Sequence, residues 1–139
     1  MATYLEHNNV TVSDFELAIK FFTTVFEDWD LRHRGFLNEE KKDIPWAHVG
    51  TATSYLALQG TSFGEAFQGG ESPYFDHYGI IVDDLEAVTE RLGDWPYKIR
   101  TNEESPGIKK IYVFIFDGII LEIIEYKTTD LEVRNSYPN

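Results

Sequence analysis

The chain has 139 residues, the size of one ordinary domain, and its 42% hydrophobic and 15% aromatic content is enough for a substantial core. Twenty-four acidic against twelve basic residues give a formal charge of −12. That charge repels phosphate backbones and anionic lipid surfaces, so neither nucleic acid nor membrane is an expected partner. With no cysteine, disulfides, thiolate metal sites and a cysteine nucleophile are excluded.

The opening MATYLEHNN has no basic stretch leading into an apolar run, and no apolar run approaches the length of a membrane span; the expected location is cytoplasmic. Leu5 to Val12 reads as a short strand. Ser13-Asp14-Phe15-Glu16 is then a capping-box pattern, in which Ser13 and Glu16 can satisfy orphan N–H groups. Phe15, Ala18, Ile19, Phe22 and Phe26 follow at helical spacing, predicting a helix near 14–27. WDLRHRGF predicts a strand, LNEEKKDIP a polar loop, and HVGTATSYLALQG a hairpin. Gly60 to Pro73 is a glycine-rich connector, either a plain linker or a cover for a pocket.

The chain then repeats itself. YFDHYGIIVDDLE, from Tyr74 to Glu86, matches YLEHNNVTVSDFE, from Tyr4 to Glu16, with His7 and His77 seventy residues apart, as are Glu16 and Glu86. Recurrence at fixed spacing marks a duplicated structural unit. Asp83 and Glu86 repeat the cap, Leu85, Val88 and Leu92 repeat the helical spacing, and Gly93 ends a helix near 84–93. PYKIRT, KKIYVFIF and GIILEIIEY repeat the strands, the last two joined at the hairpin signal Asp117-Gly118. Lys127 to Asn139 lacks periodicity and reads as a polar tail. The expected fold is α+β, one domain over 1–139: a βαβββ module over about 1–60, a linker at 61–73, a second module over about 74–127, and a tail at 128–139.

Alternate residues of a strand share a face, so His7 lies with Leu5, Asn9 and Thr11, and His77 with Phe75, Gly79 and Ile81. Glu122 sits in Gly-Ile-Ile-Leu-Glu-Ile-Ile-Glu-Tyr, apolar on both faces, as for a strand covered on both sides. An ionised carboxylate there must be paired, metal-bound or protonated. Two matched imidazoles and this carboxylate would meet that demand by gripping a divalent metal. His33, in Arg32-His33-Arg34, and His48, after Trp46, read as ordinary strand residues; Glu125 and Lys98 read as solvated charges.

Leu5-Glu6-His7 leading into Val12-Ser13-Asp14, Asp76-His77-Tyr78-Gly79 leading into Val82-Asp83-Asp84-Leu85, and Phe116-Asp117-Gly118 ending in Leu121-Glu122-Ile123 stand in an order that resembles the vicinal oxygen chelate superfamily of glyoxalases, bleomycin-resistance proteins and extradiol dioxygenases. The resemblance covers nearly the whole chain. It implies that the two modules form a cupped mixed β-sheet with flanking helices around one metal ion, held by the first and fourth strands of each module. Carried over, it implies His7, His77 and Glu122 as metal ligands. Aligning Tyr55-Leu56-Ala57-Leu58-Gln59 on Ile120-Leu121-Glu122-Ile123-Ile124 puts Ala57, which cannot bind metal, at the remaining position.

That departure counts against chemistry resembling glyoxalase I isomerases or methylmalonyl-coenzyme A epimerases, with four protein ligands. It favours a three-ligand site like those of fosfomycin-modifying transferases and extradiol dioxygenases, acting on a small oxygen-rich substrate chelated through neighbouring oxygens. The metal could be iron(II), manganese, nickel or zinc, and the reaction that of a lyase, transferase or dioxygenase. Gln59 shares a face with Ala57, ~6.6 Å along the strand, and is expected at the rim. Asn9 and Tyr112 complete the expected substrate-binding set, Tyr112 also being readable as a core aromatic. The resemblance further implies a homodimer that pairs modules between chains. The alternative is a metal-free binding or sequestration protein of the bleomycin-resistance type, favoured by the acidity of the chain; an inactive structural relative is a third reading.

Overall fold

The structure is a computed structural model that describes residues 5–37, 44–60, 77–101 and 107–134. The chain divides into two compact units, Met1–Gln68 and Gly69–Asn139. The first contains β1 (His7–Thr11), α1 (Phe15–Val25), β2 (Asp30–Phe36), β3 (Pro45–Gly50) and β4 (Tyr55–Gln59). The second contains β5 (Tyr78–Ile81), α2 (Leu85–Leu92), β6 (Lys98–Thr101), β7 (Ile108–Phe114), β8 (Ile120–Tyr126) and a short α3 (Leu131–Arg134). Each unit is thus a βαβββ module with its own four-stranded mixed sheet, ordered β1-β4-β3-β2 and β5-β8-β7-β6. In both, the first strand runs parallel to the fourth and the remaining pairs are antiparallel. The expected polar loop and most of the glycine-rich connector lie outside the described residues.

Each helix seals one face of its sheet. In the first module Phe15, Ala18, Ile19, Phe22 and Val25 of α1 are buried with Ala47 and Val49 of β3 and Leu56 and Leu58 of β4. Phe21, off that stripe, is buried as well, edge-on to Phe22 with ring centroids 5.2 Å apart. In the second, Leu85, Val88 and Leu92 of α2 are buried with Ile111 and Val113 of β7 and Leu121 and Ile123 of β8. Burial of each such side chain contributes about 1.5–3 kcal/mol. Period-2 alternation puts the polar and most aromatic strand residues on the other face of each sheet, and every candidate residue of β4, β7 and β8 stands there.

Four expectations need correction. The helix caps are Asp14, which accepts from Leu17 N at 3.0 Å, and Asp84, which accepts from Ala87 N at 3.0 Å, each one residue beyond Ser13 and Asp83. Each helix starts where its first core side chain, Phe15 or Leu85, must turn inward, and the preceding aspartate is the extended residue whose carboxylate reaches the third helical N–H. Glu16 pairs with Arg34. Glu125 is not merely solvated: its Oε2 accepts the Leu85 N–H at 2.8 Å and ties β8 to the start of α2. The tail contains α3, whose start is held by Asp130 accepting from Glu132 N at 2.9 Å. Finally, among the described residues β8 is less covered on one face than on the other: Leu121 and Ile123 are buried, whereas Ile120, Glu122 and Ile124 are partly exposed. A sheet sealed by a helix on a single side does not need apolar residues on both.

The Asp117-Gly118 turn joins β7 to β8 as expected, with positive φ at both residues, 56° and 68°. These signs suit the right-handed twist of the flanking strands. No helix among the described residues is long and apolar enough to cross a membrane.

Candidate functional site

On the open face of the second sheet, Glu122 stands between Gly79 of β5 and Tyr112 of β7. Its side chain is 14% exposed, so the charge must be met by partners. Oε1 accepts from Lys110 Nζ at 3.0 Å and from the Tyr112 hydroxyl at 3.1 Å, and Oε2 lies 2.9 Å from His77 Nε2. Burial alone pushes the carboxyl pKa up; the hydrogen bonds from Lys110 and Tyr112 and the charges of Lys110 and His77 together outweigh it, leaving the pKa below the usual range. The same hydrogen bond to Glu122 raises the Lys110 ammonium above its ordinary value. The Tyr112 ring meets His77 edge-on at 6.0 Å.

The first module repeats this register with different side chains. Ala57 pairs with Asn9 of β1 and His48 of β3, as Glu122 pairs with Gly79 and Tyr112. The seventy-residue repeat that sets His7 on His77 sets Asn9 on Gly79, so Ala57 holds the position of Glu122 and His48 that of Tyr112. One further pair along, Gln59 lies between Thr11 and Trp46. His7 pairs with Tyr55, its ring stacked on the phenol at 4.9 Å, and its Nδ1 is 2.9 Å from Glu6 Oε1. The Tyr55 hydroxyl donates to the same oxygen at 3.1 Å. Hydrogen bonds from His7 and Tyr55 hold the Glu6 carboxyl below the usual range.

The structure therefore brings His77, Tyr112 and Glu122 together, and places His7, Asn9 and Gln59 on the open face of the first sheet. Among the described residues, no group of three or more histidine, aspartate or glutamate side chains is gathered closely enough to hold a metal. Two residues escaped the sequence reading. Lys110, whose ammonium bonds Glu122, is two residues before Tyr112 and so on the same face of β7; strand period alone could have found it. His48 is pushed down in pKa, first by burial and then by the charges of Arg32, His7 and His33. Its signal was the β3–β4 register, which pairs it with Ala57.

The architecture now supports comparison with solved structures. A glyoxylase/bleomycin resistance protein/dioxygenase domain from Frankia sp. EAN1pec superposes with a TM-score of 0.75 at 19% identity, covering 91% of this chain and 100% of that one. This is the vicinal oxygen chelate fold. A trypanothione-dependent glyoxalase I from Leishmania major shares it with a TM-score of 0.75 at 18% identity, over 96% of this chain and 94% of its own. The fosfomycin resistance protein FosX from Listeria monocytogenes, complexed with Mn(II) and sulfate, does so with a TM-score of 0.70 at 16% identity, over 98% and 100%. No family model matches the sequence, and no curated protein matches it. At these identities the vicinal oxygen chelate likeness is one of fold.

Proposed function

We propose that the protein is a metal-dependent enzyme acting on a small oxygen-rich molecule, with one divalent ion held by His7, His77 and Glu122. The observation that carries this reading is the His77–Glu122 pair, whose donor atoms lie 2.9 Å apart. Two ligands at ~2.1 Å from a common ion and at right angles to each other would be about 3.0 Å apart. The donor set, two imidazoles and a carboxylate, suits iron(II), manganese, nickel or zinc. His7 fits as well: with Nδ1 directed at Glu6, its Nε2 presents the lone pair, the arrangement usual for a metal-bound histidine. Ala57 leaves the fourth position without a protein ligand, and a bound ion would there polarise neighbouring substrate oxygens as a Lewis acid.

The chain's own groups orient the substrate. The Tyr112 hydroxyl, held on Glu122 Oε1, is placed to donate to a substrate oxygen once that carboxylate turns to a ligand role. Asn9 and Gln59 offer amides on the first module's open face. Because His7 belongs to one module and the pair to the other, we infer a homodimer that exchanges modules, and expect two chains by light scattering at micromolar concentration. Metal analysis of protein purified without an affinity tag tests the reading; substoichiometric metal together with unchanged behaviour of Glu122→Gln would overturn it.

Lys110 favours a second reading. Its ammonium already supplies Glu122 with a counter-ion, which a metal-free sequestration protein of the bleomycin-resistance type would need to keep a half-buried carboxylate.

A further inference from the structure

The open face of the first sheet carries a continuous row of rings. His33 on β2, Trp46 and His48 on β3, Tyr55 on β4 and His7 on β1 follow one another at centroid distances of 5.5, 5.0, 4.4 and 4.9 Å. A bulge in β2 creates part of it. Leu31 pairs with Val49 and His33 with His48, leaving Arg32 as the extra residue. Val49 faces the core, so the bulge turns both Arg32 and His33 to the open face, where strict alternation would have allowed one. The Arg32 guanidinium then lies 4.1 Å from the centre of the Tyr55 ring.

A glycine lets β3 pass close to the start of β4, where Tyr55 stands. Gly50, the β3 partner of Tyr55, has φ +155°, and a Cβ there would fall 2.5 Å from the Ser54 carbonyl oxygen and 2.6 Å from Tyr55 Cα. Arg34, by contrast, is tied to Glu16 on the helix side. Among the described residues Arg32 has no carboxylate within ion-pair distance and rests on an aromatic face.

We propose that this row of rings with Arg32 is a binding site for a small aromatic carboxylic acid. The ligand ring stacks on the indole and imidazoles, and its carboxylate takes the planar fork of the guanidinium. The occupant is a monoanion: Arg32, with no carboxylate at ion-pair distance among the described residues, offsets one charge, while Glu6, near enough to feel the Arg32 charge, and the net charge of −12 work against polyphosphates and nucleic acid. The proposal deepens the functional reading by naming a substrate class, and rests on it only in taking the His7 face as the ligand-binding face.

The test is calorimetric titration of benzoate, benzamide and cyclohexanecarboxylate into the full chain after chelation. Benzoate is expected to bind with a Kd of about 1 mM or tighter, and each analogue at least about tenfold more weakly, since one lacks the charge and the other the ring. Arg32→Gln should weaken benzoate by about tenfold or more, and Arg34→Gln should leave it unchanged. Benzamide binding as well as benzoate, an Arg32→Gln protein that keeps full affinity, or no benzoate binding to the folded chain would each overturn the proposal. Should Arg32→Gln fail to fold, the contrast between benzoate and benzamide on the unaltered chain decides. The protein is metal-free throughout, so loss of the metal reading leaves this result standing, and absence of benzoate binding leaves metal affinity to be measured separately.

Discussion

The two modules share a backbone plan and a register but place different chemistry at corresponding points. Where the second has Glu122 with Tyr112 and Lys110, the first has Ala57 with His48 and Trp46. A half-buried carboxylate demands donors, and the second face supplies an ammonium, a phenol and an imidazole around it. An alanine makes no such demand, and the first face is free to become a stack of rings. Duplication fixed the positions; the charge, or its absence, set what surrounds them.

The largest expected break in this contrast is Glu122→Gln, which keeps size and removes charge. If Glu122 is a ligand, metal affinity should fall by more than about a hundredfold, beyond what loss of an outer partner costs, while circular dichroism shows an intact fold. If the carboxylate only holds structure, the same change should cost about 1–3 kcal/mol of unfolding free energy, with no metal to lose.

Ala57→Glu asks whether the first face can carry the same group. It would place a carboxylate beside His48 and Asn9 with Trp46, not a lysine, on the neighbouring strand. Chemical denaturation should show about 1–3 kcal/mol of destabilisation, recovered in part by adding Trp46→Lys. Tighter zinc or nickel binding would accompany it if position 57 faces the ion; unchanged metal affinity in a well-folded variant would return Gln59 as the fourth ligand.

Lys110→Gln separates the two functional readings. For an enzyme, removing the cation that competes for Glu122 should raise metal affinity about tenfold. For a metal-free binder it should lower stability and leave metal irrelevant. Titration with a metal indicator, alongside a denaturation curve, distinguishes these outcomes.

Most of the fold was legible because repetition and periodicity are properties of the chain itself: the doubled strand–helix opening, the helical spacing of Phe15 to Phe26, and the Asp117-Gly118 turn all pointed one way. Ala57 was aligned on Glu122 by the same means. The rest depended on what lies across a sheet. Lys110 finds Glu122 diagonally across the β7–β8 pair, Glu125 finds the start of a packed helix, and Arg32 and His33 reach the open face through a bulge that breaks the alternation on which strand reading depends. The partners of Glu122 were not legible, because isoleucines on both sides of a strand do not reveal which donors stand beside the carboxylate.

Acid stability should divide between imidazole and carboxyl. His48 has a depressed pKa in the folded protein, so as pH falls below the ordinary imidazole value of 6.5 the unfolded chain takes up a proton that the folded chain resists, and stability declines. Glu122 is depressed too, but as an acid: its contribution is complete above 4.5 and is lost as pH falls through its lower folded value. Denaturation midpoints of chelated protein across pH 3–8 should therefore fall in two stages, the first reduced by His48→Gln and the second by Glu122→Gln, with Glu6 and Glu16, lowered by their hydrogen bonds to His7, Tyr55 and Arg34, keeping part of the second.

The smallest effect concerns the caps. Asp14 and Asp84 each accept one N–H at 3.0 Å, and replacing either by alanine should cost about 1 kcal/mol. The second helix has an additional support, because Glu125 reaches from β8 to the Leu85 N–H, and the first helix has Glu16 engaged with Arg34 instead. Asp84 and Glu125 serve different N–H groups of the same turn, so the double change Asp84→Ala with Glu125→Ala should cost more than either alone and loosen α2 selectively. Hydrogen exchange at Leu85 and Ala87, compared with Phe15 and Leu17 in Asp14→Ala, reads this directly. Equal protection of the two helices after all three substitutions would mean that Glu125 contributes nothing to holding α2 on its sheet.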